Sequence, residues 1–206
     1  MSFKRNMMRG VMVAAALFVG GCASSFYTRY DAPVSADLAQ SWRLADVRVS
    51  VPDELVVSEA KSLFPHADIV WREDPEGDRK AQVAAIIRNA AQVAGRGLKG
   101  GQPVILDITL ARFHALTFEA ETRLSNAGVH NIEFTAQVVD ARSGAVLYGP
   151  KFIEAALPAY AGEEMKQARA RGETQRSQIT AHLVDTFRGW FGIGPDPRDE
   201  FQRLGG

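Results

Sequence analysis

The stretch Val129–Val139, VHNIEFTAQVV, decides the fold that this sequence predicts. Every second residue from Ile132 onward is apolar, which is typical of a strand with one buried face. The turn Asp140-Ala141-Arg142-Ser143-Gly144 follows, and its glycine can adopt a positive φ. Residues 145–155 then return as a partner strand. The sequence therefore predicts an antiparallel hairpin, with an inward row formed by Ile132, Phe134, Ala136 and Val138.

Further strands and two helices are predicted around this hairpin. Alternating or β-branched segments at residues 45–51, 67–71 and 104–116 indicate strands, and residues 117–124 are interpreted as a weaker continuation of the last one. Apolar residues at three- and four-residue spacing predict one helix over residues 78–94, with Asp78 as its N-cap, and a second over residues 179–191. The expected fold class is α+β: a mainly antiparallel sheet with a central hairpin, packed against two helices.

The segments that flank this domain lack a sustained period. Residues 22–43 mix small, polar and aromatic side chains, which suits a tether or a segment lying against the domain. The polar stretch 162–177 is interpreted as a solvated helix or loop. Glycines and prolines end the second helix, so we expect a flexible tail over residues 193–206 and a single α+β domain over residues 44–192.

The N-terminus has the pattern of a secretory signal. Lys4, Arg5 and Arg9 precede the apolar run Val11–Val19, which is too short to span a bilayer, because a spanning helix needs about 20 apolar residues. The following Val19-Gly20-Gly21-Cys22 resembles the bacterial lipobox, in which the thiol receives a diacylglyceryl group before cleavage. This resemblance implies a signal peptide at residues 1–21 and a lipidated Cys22 that carries fatty acyl chains such as palmitate.

The alternative is that Cys22 is an ordinary buried or free cysteine. It is the only cysteine in the chain, so no intramolecular disulfide can form. Lipidation would place the domain in the cell envelope, facing the periplasm. Ala23 stands where the lipoprotein pattern for inner-membrane retention has aspartate, which favours the outer membrane over the inner membrane.

The charge balance argues against nucleic acid as a partner. The chain has 24 basic and 24 acidic residues, and removing the three cations of the signal segment leaves 21 against 24, about −3. Such a balance gives no electrostatic footprint for nucleic acid. We therefore expect membrane attachment through the lipid and an envelope protein partner, with no nucleic acid.

Side chains suited to chemistry do not form a convincing catalytic or metal pattern. None of the histidines pairs with another at helical or strand spacing, although His114 and His130 could approach each other if their strands pair; the four are His66, His114, His130 and His182. Glu119 and Glu121 would share a face on a strand, where solvent exposure is the favoured interpretation over a hydrolase pair. We expect no catalytic residue, no metal and no cofactor.

Two glycine-containing segments also have ordinary interpretations. The loop at residues 95–101, GRGLKGG, follows a helix and precedes a strand, the reverse of the order in a phosphate-binding loop. Ser143 lies inside the hairpin turn rather than on a nucleophile elbow, so local hydrogen bonding is its expected role.

Several short motifs resemble a known family. The segments at residues 67–71 (ADIVW), 128–130 (GVH) and 172–175 (GETQ), together with the lipobox and the hairpin, are similar to DUF6778, a group of uncharacterised alphaproteobacterial lipoproteins, over most of residues 40–185. The family has no assigned activity, so this resemblance implies no catalytic residues. More distantly, the layout resembles the α+β domains of envelope accessory lipoproteins, in which an exposed face recruits a partner.

Two functional expectations follow. The first is a non-enzymatic, membrane-anchored interaction or accessory module that binds another envelope protein through a sheet edge or through the C-terminal helix. The alternative is a periplasmic lipoprotein that holds a lipid or other apolar ligand between sheet and helix. The expected lining of that second site is Phe113, Phe134, Phe187 and Trp190.

Overall fold

The computed structural model describes residues 24–204. This part of the chain contains seven strands and five helices. The strands are β1 (Ser24–Arg29), β2 (Trp42–Ser50), β3 (Ile69–Val70), β4 (Gln102–His114), β5 (Val129–Asp140), β6 (Val146–Pro158) and β7 (Asp199–Arg203). The helices are α1 (Ala36–Ser41), α2 (Arg79–Gly95), α3 (Phe118–Arg123), α4 (Gly162–Ala170) and α5 (Gln175–Trp190). The predicted signal peptide over residues 1–21 and the predicted lipidation of Cys22 lie outside the described residues.

The strands form one open, mostly antiparallel sheet in the order β2-β4-β5-β6-β1-β7, with β3 also paired to β4. The pairs β4–β5, β5–β6, β6–β1 and β1–β7 are antiparallel, whereas β2 and β3 run parallel to β4. The predicted α+β class with a mainly antiparallel sheet is confirmed. The expectation of two helices is not, since the described chain contains five.

The turn between β5 and β6 is held by one carboxylate. Asp140 Oδ1 accepts hydrogen bonds from the backbone N–H groups of Arg142 (3.0 Å) and Ser143 (2.8 Å), and from the Ser143 hydroxyl (3.0 Å). Gly144 has a φ of 74°, which a side chain would disfavour. Ser143 thus makes the local hydrogen bonds that the sequence predicts.

The two long helices, α2 and α5, cover one face of the sheet. α2 begins after Asp78, whose side chain accepts from the Ala81 N–H at 3.0 Å, and α5 begins with a capping box between Thr174 and Ser177. Their apolar stripes pack against the inward row of β5 in one core cluster. On the other face the strands carry exposed or half-buried polar side chains, so the domain has two layers.

The structure differs from the sequence interpretation at both ends of the domain. Residues 24–29, interpreted as tether or apposed segment, form β1, and residues 199–203, interpreted as tail, form β7. These two strands pair in register from Ser24 with Arg203 to Thr28 with Asp199. The rings of Phe26 and Phe201 stack at a centroid distance of 5.8 Å. This apolar contact, together with the strand pairing, orders two segments that are too short to form stable strands alone.

Residues 118–123 form the helix α3, where a continuing strand was predicted. Thr117 ends the extended segment, and its side chain accepts a hydrogen bond from the Ala120 N–H at 3.0 Å, which is an N-cap interaction. The polar stretch 162–177 is helical over α4, whose inner side buries Met165 and Ala168. Both short helices lie at one end of the sheet, where the candidate site is found.

Candidate functional site

The end of the sheet at which β1 begins carries the features of interest, and it is called the Ser24 end below. At this end β4 and β6 finish and β5 starts, as the pairing of Val129 with Pro158 shows. The turn at residues 141–145 lies at the opposite end, the turn end. Because β1 begins at Ser24, the Ser24 end is also where the chain enters the domain.

A groove opens between the last residues of β6 and the outer side of α5, and it is called the α5 groove. Its volume is about 580 Å³. Leu157 and Pro158 form one wall, Ser177, Gln178 and Ala181 of α5 form the other, and Tyr160 and Glu173 complete the lining. The groove is mainly apolar, since Glu173 is its one charged residue.

A buried histidine lies on β5 next to the groove wall. His130 pairs in register with Leu157 and has 0% of its surface exposed. Neither ring nitrogen makes a hydrogen bond of good geometry within the described chain. Burial lowers the pKa of His130 to about 3, although the nearby Gln178 side chain partly opposes this shift. The imidazole is therefore neutral at physiological pH.

A second histidine, His182 of α5, is tied to β1. The Thr28 hydroxyl donates to the Ala156 carbonyl at 2.9 Å, so the His182 Nε2–H donates to the Thr28 oxygen, also at 2.9 Å. Burial lowers the pKa of His182 as well. With two neutral histidines beside it, the α5 groove contains no cation that would select an anionic ligand.

The first turn of α5 is fixed by a carboxylate from a distant loop. Glu73 accepts hydrogen bonds from the backbone N–H groups of Gln175 (3.1 Å) and Arg176 (2.6 Å), where the helix dipole favours negative charge. Arg169 of α4 pairs with both Glu73 (3.2 Å) and Glu121 of α3 (2.9 Å). These pairs join α3, α4 and the first turn of α5 at the Ser24 end.

The open face of the sheet carries a row of four charges. Arg112, Glu133, Glu154 and Arg29 lie opposite one another on β4, β5, β6 and β1. Glu133 pairs with Arg112 at 3.5 Å, and Glu154 pairs with Arg29 at 2.8 Å. Burial, together with Glu133, raises the pKa of Glu154, while Arg29 opposes the shift.

Two adjacent carboxylates are the arrangement that acid–base hydrolysis uses. Here each carboxylate already has an arginine partner, and Glu133 also accepts from Asn131 Nδ2 at 2.7 Å. Neither glutamate lines the α5 groove. The row therefore fits a role in fixing the strand register. Sequence reasoning missed it, although Glu133 and Glu154 both stand at outward positions of alternating strands.

The edges of the sheet are poorly suited to pairing with another strand. On β2, the Val47 N–H donates to Asp46 Oδ1 (2.8 Å) and its carbonyl accepts from Arg88 Nε (3.4 Å). Side chains thus occupy both backbone groups of Val47, which a partner strand would need at this position of the edge. The other edge, β7, is five residues long and begins with Asp199 and Glu200.

The four aromatic residues predicted to line a ligand site are part of the core. Phe113, Phe134, Phe187 and Trp190 each have 0% exposure. Phe134 and Phe187 lie 5.3 Å apart, and Phe113 meets Trp71 edge to face at 5.7 Å. Side chains fill the space between sheet and helices, so the predicted position of the apolar site is corrected.

The two pairings of titratable residues that the sequence allows but does not favour, His114 with His130 and Glu119 with Glu121, do not form. His114 lies opposite Asn131, and therefore its side chain points away from the face that holds His130. In α3, Glu121 is buried against Arg169 while Glu119 carries no ion pair within the described chain. Among residues 24–204, no group of three or more His, Cys, Asp or Glu side chains could hold a metal ion.

The glycine-containing loop at residues 95–101 connects a helix to a strand, as the sequence predicts. The loop at residues 95–101 follows α2 and leads into β4, and the cleft beside it is lined by Arg43, Arg96 and Lys99 at the exposed edge of β2. Within residues 24–204, no helix is both long enough and apolar enough to cross a lipid bilayer.

The fold defines a two-layer α+β domain with an open sheet. The chain belongs to a family of unknown function, DUF6778, whose model matches residues 42–206. That match starts after β1 and α1, which the structure nevertheless places in the domain. No curated protein matches the chain.

Several solved structures are similar at low sequence identity. A Xanthomonas campestris protein of family DUF330 is 11% identical, with 80% of this chain and 91% of that chain covered and a TM-score of 0.43. The PelC dodecamer from Paraburkholderia phytofirmans is 10% identical, with 81% and 96% covered and a TM-score of 0.33. A putative lipoprotein from Caulobacter crescentus is 12% identical, with 57% and 86% covered and a TM-score of 0.31.

Proposed function

We propose that this protein is a bacterial envelope lipoprotein, anchored through a lipid on Cys22, that acts as a non-enzymatic accessory module and binds another envelope component. The observation that carries this proposal is the position of β1. This strand begins at Ser24, two residues after the cysteine of the lipobox, and it is paired on both sides, with β6 and with β7.

The short connection has a mechanical consequence. Two residues span at most about 7 Å, so the lipid on Cys22 would be attached almost directly to the sheet. A domain that lacks a long tether has a restricted orientation and height above the membrane. This arrangement suits a module that works at the membrane surface. Ala23 favours the outer membrane as its location.

The pattern of charges supports binding rather than catalysis. The carboxylates with partners across the fold, Glu73, Glu121 and Glu154, each pair with an arginine. The histidines beside the α5 groove, His130 and His182, are neutral and desolvated. Since the edge of β2 is blocked at Val47, the α5 groove is the better docking surface for a partner.

A second candidate function is binding of an apolar ligand in the α5 groove. Its walls include Leu157, Pro158, Tyr160 and Ala181, and its volume of about 580 Å³ lies within the range of roughly 300–1,000 Å³ that small-molecule sites occupy. In this proposal the ligand binds at the surface of α5, instead of between the sheet and the helix, where side chains fill the core. Native mass spectrometry of the protein released from membranes by mild detergent would detect a retained lipid. Ala181→Trp should displace it, while Val146→Trp at the turn end should not.

The anchor is tested by a Cys22→Ala variant of the full precursor. We expect this variant to leave the membrane fraction, and we expect the mature wild-type N-terminal peptide to carry the mass of a lipidated cysteine. Ser25→Ala is the matched control, because it alters a nearby residue and keeps the lipobox. A Cys22→Ala protein that still sediments with membranes, or an unmodified Cys22 in the wild type, would refute the anchor.

The interaction is tested by site-specific photocrosslinking in cells. A photoreactive amino acid would replace Tyr160 or Ala181 in the α5 groove, and Val146 or Phe152 as exposed controls away from it. We expect both groove positions to capture the same envelope protein and the controls to capture none of it. Equal capture from all four positions, or no adduct from the groove, would count against the α5 groove as the docking surface.

A further inference from the structure

A group of three exposed apolar side chains lies at the Ser24 end. Within residues 24–204, seven large hydrophobic residues are exposed, and three of them lie at this end: Phe64 (55%), Phe118 (46%) and Leu204 (53%). The remaining four are Leu38, Val56, Val146 and Phe152. Isolated exposed hydrophobic residues are common, but a group at one end of a domain marks a contact surface.

Local contacts fix the backbone that carries each of the three. The Leu204 carbonyl accepts from the Gly128 N–H at 2.8 Å, immediately before β5. Phe64 and Val129 line the same narrow cleft. Phe118 begins α3 directly after Thr117, whose hydroxyl donates to the Ser62 carbonyl at 2.7 Å. The three side chains therefore project from ordered backbone around the start of β5.

We propose that Phe64, Phe118 and Leu204 form a membrane-contacting surface that enters the interfacial layer of the bilayer to which Cys22 is anchored. This inference rests on the proposed lipid anchor. Because Ser24 is within about 7 Å of Cys22, the Ser24 end must lie beside the membrane that holds the lipid. Ser24 pairs with Arg203, the neighbour of Leu204, so this surface is next to the point of attachment.

The charges around this surface are compatible with an interfacial position. Lys61 and Arg123 are exposed and form no ion pair within the described chain, and aromatic and basic side chains together are typical of the membrane interface. α3 also carries Glu119, so the surface is not strongly basic. The attraction to the bilayer comes from the apolar side chains rather than from charge, and the contact should persist at high salt.

The test uses single cysteine substitutions in the full, lipidated chain. Cys22 is the only native cysteine and its thiol is consumed by the thioether, so an introduced cysteine is the only free thiol. Phe64→Cys and Phe118→Cys probe the proposed surface. Val146→Cys at the turn end and Phe152→Cys on the open face are matched controls, since all four positions are exposed and tolerate a label.

Each variant would carry an environment-sensitive fluorophore and be reconstituted in phosphatidylethanolamine–phosphatidylglycerol vesicles with nitroxide-labelled lipids. We expect labels at positions 64 and 118 to be quenched at least about threefold more than those at 146 and 152, because interfacial side chains reach roughly 5–10 Å into the headgroup region. The difference should remain in 0.5 M salt, an ionic strength at which the Debye length falls to about 4 Å.

Two negative outcomes are distinguishable. Equal, weak quenching at all four positions in vesicle-bound protein would overturn the contact surface and leave the lipid anchor intact. Protein that is never lipidated and does not bind vesicles would overturn the anchor and, with it, the surface. Circular dichroism of each labelled variant shows whether the fold is retained.

Discussion

Replacing His130 by leucine should stabilise the domain and remove part of its sensitivity to acid. His130 is completely buried on β5, and neither ring nitrogen has a hydrogen-bond partner of good geometry in the described chain. Leaving a polar group buried without a partner costs about 1–3 kcal/mol, and an apolar side chain of similar volume avoids this cost. At pH 7.5 we therefore expect His130→Leu to raise the free energy of unfolding by about 1–3 kcal/mol.

The pH dependence follows from linkage. The pKa of His130 is about 3 in the folded state, against 6.5 for an unperturbed histidine. Between these two values the unfolded chain binds the proton and the folded chain does not, so stability is constant above pH 6.5 and falls as the pH drops below it. At pH 5.5, one pH unit below the unfolded pKa, the loss from this histidine is about 1.4 kcal/mol.

Urea unfolding followed by circular dichroism at pH 7.5 and pH 5.5 measures both effects, in mature protein made soluble by Cys22→Ala. Burial also lowers the pKa of His114 and of His182, so the wild type should lose more than the contribution of His130 alone. When the pH is lowered from 7.5 to 5.5, the free energy of unfolding of His130→Leu should fall by about 1.4 kcal/mol less than that of the wild type. The exposed His66→Leu is the control. A His130→Leu protein that is destabilised, or that keeps the full loss on acidification, would refute this account of the site.

Two further predictions concern the packing of α5. Phe187→Ala should cost about 3–5 kcal/mol, because it removes a ring with 0% exposure from the core, whereas Phe152→Ala on the open face should change stability by less than about 0.5 kcal/mol; thermal unfolding measures both. Glu73→Gln should cost about 1–2 kcal/mol, since it removes the charge that accepts from two backbone N–H groups of α5, and the exposed Glu76→Gln should be nearly neutral in the same assay.

The central elements of the fold follow from local sequence patterns. The period of two in β5 predicts which residues face the helices, and Ile132 and Phe134 are indeed fully buried. In α2 the apolar spacing and the Asp78 cap define a helix within one residue of its observed bounds. Both features depend on neighbours close in sequence, so a single chain is enough to predict them.

The elements that were missed depend on distant parts of the chain. β1 and β7 are five or six residues long, and each is ordered by pairing with the other across some 170 residues of sequence. Residues 117–124 were interpreted as a continuing strand that Glu119 and Glu121 weaken, whereas the structure caps a helix there with the Thr117 side chain. Short segments have weak intrinsic preferences, and tertiary contacts decide their conformation.

The candidate site is still further from sequence-based prediction. The row from Arg112 to Arg29 exists because three strand pairings have a particular register, and a slip of one residue would move every side chain to the other face. The α5 groove similarly depends on the end of β6 lying beside α5, two elements about 20 residues apart in the chain at Leu157 and Ser177. In both cases the residue types are visible in the sequence, whereas their neighbours are not.

Both candidate functions use the α5 groove, and the length of the connection between the lipid and the domain distinguishes them. β6 has 13 residues, so at about 3.3 Å per residue the turn end stands roughly 40 Å above the Ser24 end. The α5 groove opens at the Ser24 end beside Pro158, within reach of a lipid from the bilayer. Ten glycine and serine residues inserted between Ala23 and Ser24 would add roughly 16–19 Å of flexible tether. Lipid retained in the groove should then be lost, whereas crosslinking to a partner that needs only membrane attachment should persist. Retention of the lipid by the lengthened chain would show that the groove does not load from the adjacent bilayer.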